Sequence, residues 1–238
     1  MTSDHIAGIL RDVLGIKKEL VGIKVWKEEP QDIRQYEGNA FPGMCTQISE
    51  VLKTGESFHT NRDHCFCTGG VVAVGVASPL SEEEKKEMLE VHFEMSPGYK
   101  DIDTAIQYEH EMEKVIPPVG EKNAAVQLGL FKNIENPDVV LMFCSPGSAD
   151  ILNRTYSYTT GETVRGFGGN GGCPFVIQYP YVTGKPSFTY SDVAWRKYIG
   201  LSEDELTISF PYQSLLKCIE NLPSVAEKYR KYGEGMEG

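Results

Sequence analysis

AAVQLGLFKNIENPDVVLMFC, residues 124–144, carries two apolar runs, Ala124–Phe131 and Asp138–Cys144, with Asn136–Pro137 between them. Short apolar runs rich in Val, Leu and Phe and bounded by turn residues read as buried strands. Asn-Pro supplies the turn. The next stretch, SPGSADILNRTYSY (145–158), starts a helix directly after the second strand, with Pro146 in its first turn or just before it. Upstream, SEEEKKEMLEVHFE (81–94) and DIDTAIQYEHEMEK (101–114) read as two helices separated by SPGYK. Nearer the N-terminus, Ile6, Ile9, Leu10, Val13, Leu14 and Leu20 recur at helical spacing, and VGIKVWK (21–27) alternates like a strand. CTQISEVLKTG (45–55) reads as a short helix that Gly55 stops. Downstream, TGETVRGFGGNGGCP (160–174) is a long Gly-rich connection, followed by strands near FVIQYPYV and ELTISF and a helix from Gln213 to about Leu222. Helices and strands without strict alternation predict an α+β (or irregular α/β) fold. The expected architecture is a single compact domain over residues 1–238, with a mixed sheet, flanking helices and a long Gly-rich loop.

Charge narrows the partners. The 238 residues carry 23 basic and 34 acidic side chains, a net charge of −11. A surface that acidic repels a phosphate backbone, so nucleic acid is not an expected partner. No apolar stretch reaches the roughly 18–20 residues that span a bilayer, and the first residues lack a signal-peptide layout. The expectation is a cytoplasmic protein with no membrane partner. A reducing compartment disfavours disulfides and leaves the six cysteines to metal binding, catalysis or packing.

Three segments carry thiols with chemistry around them. In His64-Cys65-Phe66-Cys67-Thr68-Gly69-Gly70, two thiols at C-x-C spacing precede a glycine pair that lets the backbone turn round a bound group. Soft, charged thiolates select zinc, copper(I) or iron–sulfur clusters. Two packed thiols on a loop is the alternative, and His64 is read as a bystander. In Arg165-Gly-Phe-Gly168-Gly169-Asn-Gly171-Gly172-Cys173-Pro174, the glycines expose amides that can donate to sulfide, thiolate or phosphate. Cys-Pro also ends several cluster motifs. In FPGMCTQISE, Cys45 lies at a helix N-terminus, whose partial positive charge favours a thiolate. Cys144, at a strand end, reads as a site-facing thiol or a buried small hydrophobe, and Cys218 as core.

Familiar motifs are missing: no GxxxxGK[ST], no HExxH, no GxSxG, and no GxGxxG between a strand and a helix. Arg154, Arg165, Tyr156 and Tyr158 flank the Gly-rich loop, and Arg165 is a candidate to hold an anion or a plain surface residue. His92 and His110 lie on acidic helices with no ligand-like partner at i+4.

The order of segments resembles a known family. GIKVW, then CTQISEVLKTG, HCFCTGGVVAVG, the late Gly-rich segment and ISFPYQSLLK…ENL are similar to the prokaryotic domain of unknown function 169 family, common in archaea and anaerobic bacteria. Cys45 with Gly55, and Cys67-x-Gly69-Gly70 followed by Gly75, carry the resemblance most sharply. It implies a cytoplasmic, cysteine-bearing domain from an anaerobe and brings no activity with it. The leading expectation is a 4Fe–4S cluster held by three or four of Cys45, Cys65, Cys67 and Cys173. Gly69, Gly70, Gly168, Gly169, Gly171 and Gly172 are expected to surround the cluster. Its partner is then a small-molecule substrate or a redox partner. The alternatives are a structural zinc site, or a metal-free thiol enzyme using Cys65 or Cys67 with Arg165 orienting an anion.

Overall fold

A computed structural model describes residues 1–38, 43–95 and 98–234; the side chains of Thr68, residues 92–95 and Glu234 lie outside the description, as do Phe41, Pro42, Ser96 and Pro97. Seven strands form one mixed sheet: β1 (Val21–Trp26), β2 (Phe58–Thr60), β3 (Ala125–Leu130), β4 (Val139–Cys144), β5 (Arg165–Phe167), β6 (Ser187–Thr189) and β7 (Leu206–Pro211), in the order β2-β3-β1-β4-β7-β6-β5. Among the described strands, β5 and β6 pair in parallel and the other strand pairs are antiparallel. The runs expected as strands at 124–144 are β3 and β4, but they are not partners. β1 lies between them, with Val21 opposite Leu130 on one side and Leu141 on the other. Their connection is stitched to the ends of β1, where Phe131 N–H donates to the Leu20 carbonyl and Asp138 N–H to that of Ile23.

Along β4 every residue is buried and successive side chains serve different cores. Val139, Leu141 and Phe143 enter one cluster, Val140, Met142 and Cys144 the other. That is the period of two of a strand covered on both faces. The first face is covered by α2 (Met44–Thr54), α3 (Thr68–Ala73), a π-helix (Pro174–Gln178) running into α7 (Tyr179–Thr183), and α8 (Val193–Ile199). The second is covered by α1 (Ser3–Leu14), α6 (Pro146–Thr160), α9 (Tyr212–Cys218) and α10 (Leu222–Glu234). The remaining pair, α4 (Glu82–Met95) and α5 (Ile102–Val115), packs together, and α5 leans Tyr108 and Met112 on the first-face core.

Local chemistry sets the ends. Ser145 Oγ accepts from Ser148 N–H at the start of α6, with Pro146 in the first turn where no N–H is needed. α1 stops at Gly15, in the left-handed region at φ 66°, so Leu20 lies beyond the helix its spacing suggested. Gly55, at φ 74°, stops α2 where the sequence placed its end.

Three expectations are corrected. FVIQYPYV is not a strand but the π-helix and α7. Phe175, Val176 and Ile177 are all fully buried, so no alternation separated strand from helix. Pro180 has no N–H to pair with the Val176 carbonyl in α geometry or the Phe175 carbonyl in π geometry. Tyr179 N–H instead reaches the Pro174 carbonyl, and Ser187 Oγ on β6 donates to the Phe175 carbonyl at 2.6 Å. The Gly-rich connection, in turn, is interrupted by β5, so the spacing Gly166-x-Gly168-x-x-Gly171 runs from a strand towards the π-helix, where the sequence reading expected no such arrangement. Finally, the C-terminal helix expected to end near Leu222 is α9, a 3₁₀ turn (Ile219–Asn221) and then α10, which extends to Glu234.

Candidate functional site

Four of the six thiols meet on the first face, delivered by three separate segments. Gly43, extended at φ −73° and ψ 155°, precedes α2; Met44 is fully buried and pins the helix start, so Cys45 occupies the first turn. A Cβ built on Gly43 would stand 3.6 Å from Cys45 Sγ and 3.7 Å from the Cβ of Cys67, which places the second segment against the first. That segment runs through Cys65 and Cys67 into α3. Gly70 has a packing reason to be glycine, since its Cβ would meet that of Met44 at 2.7 Å; at Gly69 a Cβ would meet nothing within 4 Å. Cys173 arrives from the other side, directly before the π-helix. Cys65 and Cys173 are buried, Cys45 and Cys67 half-buried.

The glycine run before Cys173 is packed against rings. A Cβ at Gly171 would stand 2.8 Å from Phe175 Cζ, one at Gly172 2.6 Å from Trp195 Cε3, and one at Gly169, whose φ is +99°, 2.7 Å from Tyr108 Oη. At Gly168 there is open space. Tyr108 Oη donates to the Gly168 carbonyl (3.3 Å), Asn170 Nδ2 donates to the Gly98 carbonyl (2.9 Å), and the rings of Tyr99 and Tyr108 lie 5.3 Å apart. The backbone freedom that stood out in the sequence thus lets this loop press on three aromatic side chains while α5 holds its outer edge.

Electrostatics ties the thiols together. Burial pushes Cys173 well above the ordinary thiol range, and the charges of Cys67, Cys45, Cys65 and Asp192 push in the same direction. Burial likewise lifts Cys65 to about 12, with Cys67 and Cys45 adding to it. Cys45 was expected to be a favoured thiolate on its helix N-terminus. It moves the other way, to about 12, because burial, Cys67 and Asp192 outweigh the amides of Thr46 and Cys45 that favour its charged form. The Cys67 amide does the same for Cys65. Among the described residues, no group of three or more His, Cys, Asp or Glu side chains is arranged to hold a metal ion.

Asp192 and Trp195 were not singled out in the sequence, although Ser-Asp-x-x-Trp carries a legible helix-cap signal. Asp192 caps α8 by accepting from Trp195 N–H at 2.7 Å, and the buried indole donates Nε1–H to Thr207 Oγ1 at 2.9 Å. The carboxylate acts on Cys45 and Cys173, and on Tyr99, which burial first of all raises to about 12.

The other candidates lie elsewhere. Cys144 and Cys218 are buried in the second-face core, away from the four thiols. His64 Nδ1 is engaged by Gln35 (3.1 Å) and Asn61 (2.9 Å). Arg165 lies over the Phe167 ring at 5.8 Å, and Arg154 pairs with Asp150 at 2.8 Å. His110 pairs with Glu82 at 2.9 Å; the His92 side chain is outside the described set. Among the described residues, no helix is long and apolar enough to cross a membrane.

Compared with known sequences, residues 9–221 match the model of the domain of unknown function 169 family, described as uncharacterised ArCR. No curated protein and no solved structure matches the chain.

Proposed function

Because the chain belongs to the domain of unknown function 169 family, whose description carries no activity, we propose a function from its own residues: an iron–sulfur protein whose cluster is held by Cys45, Cys67 and Cys173, with Cys65 as the fourth thiol. The observation that supports this reading is that Cys45, Cys65, Cys67 and Cys173, from three chain segments, all pack in or against the first-face core and influence one another's ionisation. Burial and the neighbouring thiols disfavour the thiolate forms that ligate metals, and a bound cation or cationic cluster would offset that penalty.

The donor chemistry suits the group. A zinc ion requires all its ligands about 2.3 Å from one point. A four-iron cluster spreads its thiolates over a wider span, one to each iron. The amides of Thr46 and Cys67 are directed at Cys45 and Cys65 as hydrogen bonds to cluster sulfurs require. A metal-free nucleophile reads less well: such cysteines have depressed pKa values beside a base or a cation, whereas burial raises Cys45, Cys65 and Cys173.

When bound, the cluster supplies one-electron transfer, or an open iron if three cysteines hold it. The chain's own residues do the rest. α2 and α3 hold Cys45 and Cys67 at the partly exposed side, while the aromatic packing around Gly171 and Gly172 fixes Cys173 beneath them.

The test is iron, acid-labile sulfide and zinc content, with a visible spectrum, on protein purified without oxygen. Matching iron and sulfide with broad visible absorption is the expected result. Neither iron nor sulfide after anaerobic reconstitution, or stoichiometric zinc alone, overturns the reading.

A further inference from the structure

We infer that the groove between α6 and α10 binds an aromatic anion, a flat ring that carries a carboxylate, sulfonate or phosphate. These helices cover the second face of the sheet, whereas the four thiols belong to the first. The site therefore goes beyond the iron–sulfur reading and does not depend on it.

The groove arises because α10 has two apolar stripes. Leu222 and Ala226, four residues apart, turn into the second-face core, where both are fully buried. Val225, Tyr229 and Tyr232, at i, i+4 and i+7, form the other stripe and line the groove together with Tyr158 of α6. The space they enclose measures about 670 Å³, within the range that holds small ligands. Tyr158 is 62% exposed and Tyr232 71%, so these rings are a wall and not a core.

The charge of the groove is opposite to that of the chain. The sequence carries a net −11, yet among the described residues no carboxylate lines the groove, and Arg154 and Lys228 do. Each cation lies over a ring. The Arg154 guanidinium is 5.0 Å from the centroid of Tyr229, and Lys228 Nζ is 5.5 Å from that of Tyr158. Asp150 is engaged by Arg154 at 2.8 Å, and Glu227 by Lys231 at 2.5 Å. These carboxylates are committed to other cations, so the Lys228 ammonium is the group an incoming anion meets. Exposed tyrosine faces offer stacking and Lys228 offers charge. A ligand with both a ring and an anionic group gains from both. An inorganic anion gains only the charge, and an aliphatic acid finds no ring partner.

The test uses the full chain and anilinonaphthalene sulfonate, an aromatic anion whose fluorescence rises on binding. It is expected to saturate at a single site at low ionic strength and to bind less tightly as salt is added. Lys228→Gln is expected to weaken binding about two- to fivefold. Tyr158→Ala is expected to weaken it about three- to tenfold. Lys231→Gln removes a cation on the same helix but outside the groove, and is expected to stay within about twofold of wild type. Both Lys228 and Tyr158 are exposed, and unchanged circular dichroism checks that the variants fold. Naphthoate should displace the dye, and hexanoate or inorganic phosphate at the same concentration should not. No binding, or binding that neither Lys228→Gln nor Tyr158→Ala weakens, overturns the site. Equal weakening by Lys231→Gln, or displacement by phosphate or hexanoate, overturns the aromatic-anion class. A dimer in sedimentation that Tyr158→Ala dissociates also overturns it, because a second copy then fills the groove.

Discussion

The two faces of the sheet both contain buried cysteines and treat them in opposite ways. On the second face, Cys144 and Cys218 sit singly among helices and strands in regular geometry, filling space as small hydrophobes. On the first face, four thiols share one field, and irregular elements deliver them: a helix start after an extended glycine, a C-x-C loop, and a π-helix entered from a glycine-rich run. Regular elements suffice to bury an isolated thiol. Collecting several from distant parts of a chain takes loops and helix ends, and π-turns are themselves enriched at functional sites.

The comparison breaks most visibly if metal content fails to distinguish the faces. On the proposed iron–sulfur reading, Cys173→Ser is expected to abolish most of the iron the wild type carries, while Cys144→Ala and Cys218→Ala retain it, each measured by iron and sulfide analysis of anaerobically purified protein. Retention of full iron by Cys173→Ser would separate this cysteine from the site.

Next in size is the glycine run. Gly172→Ala would drive a methyl to 2.6 Å from the Trp195 ring, whereas Gly168→Ala enters open space. The first is expected to cost about 2–3 kcal/mol by urea denaturation and the second to change little. Equal effects would refute the packing account of the glycines.

The second face makes its own prediction with pH. Burial, aided by the charge of Glu205, lifts Cys144 from 9.0 to about 12. A raised thiol pKa contributes stability that is fully present below the unfolded pKa near 9 and is lost as pH rises towards the folded value. At about pH 10.5 the loss is about 2 kcal/mol for this group. Cys144→Ala carries a packing cost independent of pH. The stability gap between wild type and variant is therefore expected to narrow by about 2 kcal/mol between pH 8 and about pH 10.5. A constant gap would mean that Cys144 ionises with ordinary ease.

Much of this was legible in the sequence, and what was not has identifiable causes. β3, β4 and β7 declared themselves as apolar runs, and α2 through its Gly55 stop. The thiol-bearing segments were visible as chemistry, but only the fold brings residues 45, 65, 67 and 173 to one place. The insertion of β1 between β3 and β4 is a long-range pairing that no local pattern encodes. β6, three residues long, is too short to show a period. The helix-dipole argument for Cys45 used a real feature, yet burial outweighs it, and burial is not readable from one helix turn.

The smallest expected effect tests the least regular element. Around Phe175 the π-helix leaves a carbonyl that Pro180 cannot serve, and Ser187 Oγ donates to it at 2.6 Å from β6. Ser187 is fully buried, so its removal strands a carbonyl that water does not reach. Ser187→Ala is expected to cost about 1 kcal/mol, the lower end for a buried hydrogen bond, because Ser209 Oγ lies 3.2 Å from the lost hydroxyl and offers a nearby donor. The informative measurement is local. Hydrogen exchange at Tyr179, whose N–H closes the π-turn on Pro174, should accelerate, while the amides of α6 on the second face keep their protection. Uniform acceleration on both faces would make Ser187 a general contributor to stability. Acceleration confined to the π-turn would show that the segment behind Cys173 is held in its irregular geometry by a bond that regular helices do not need.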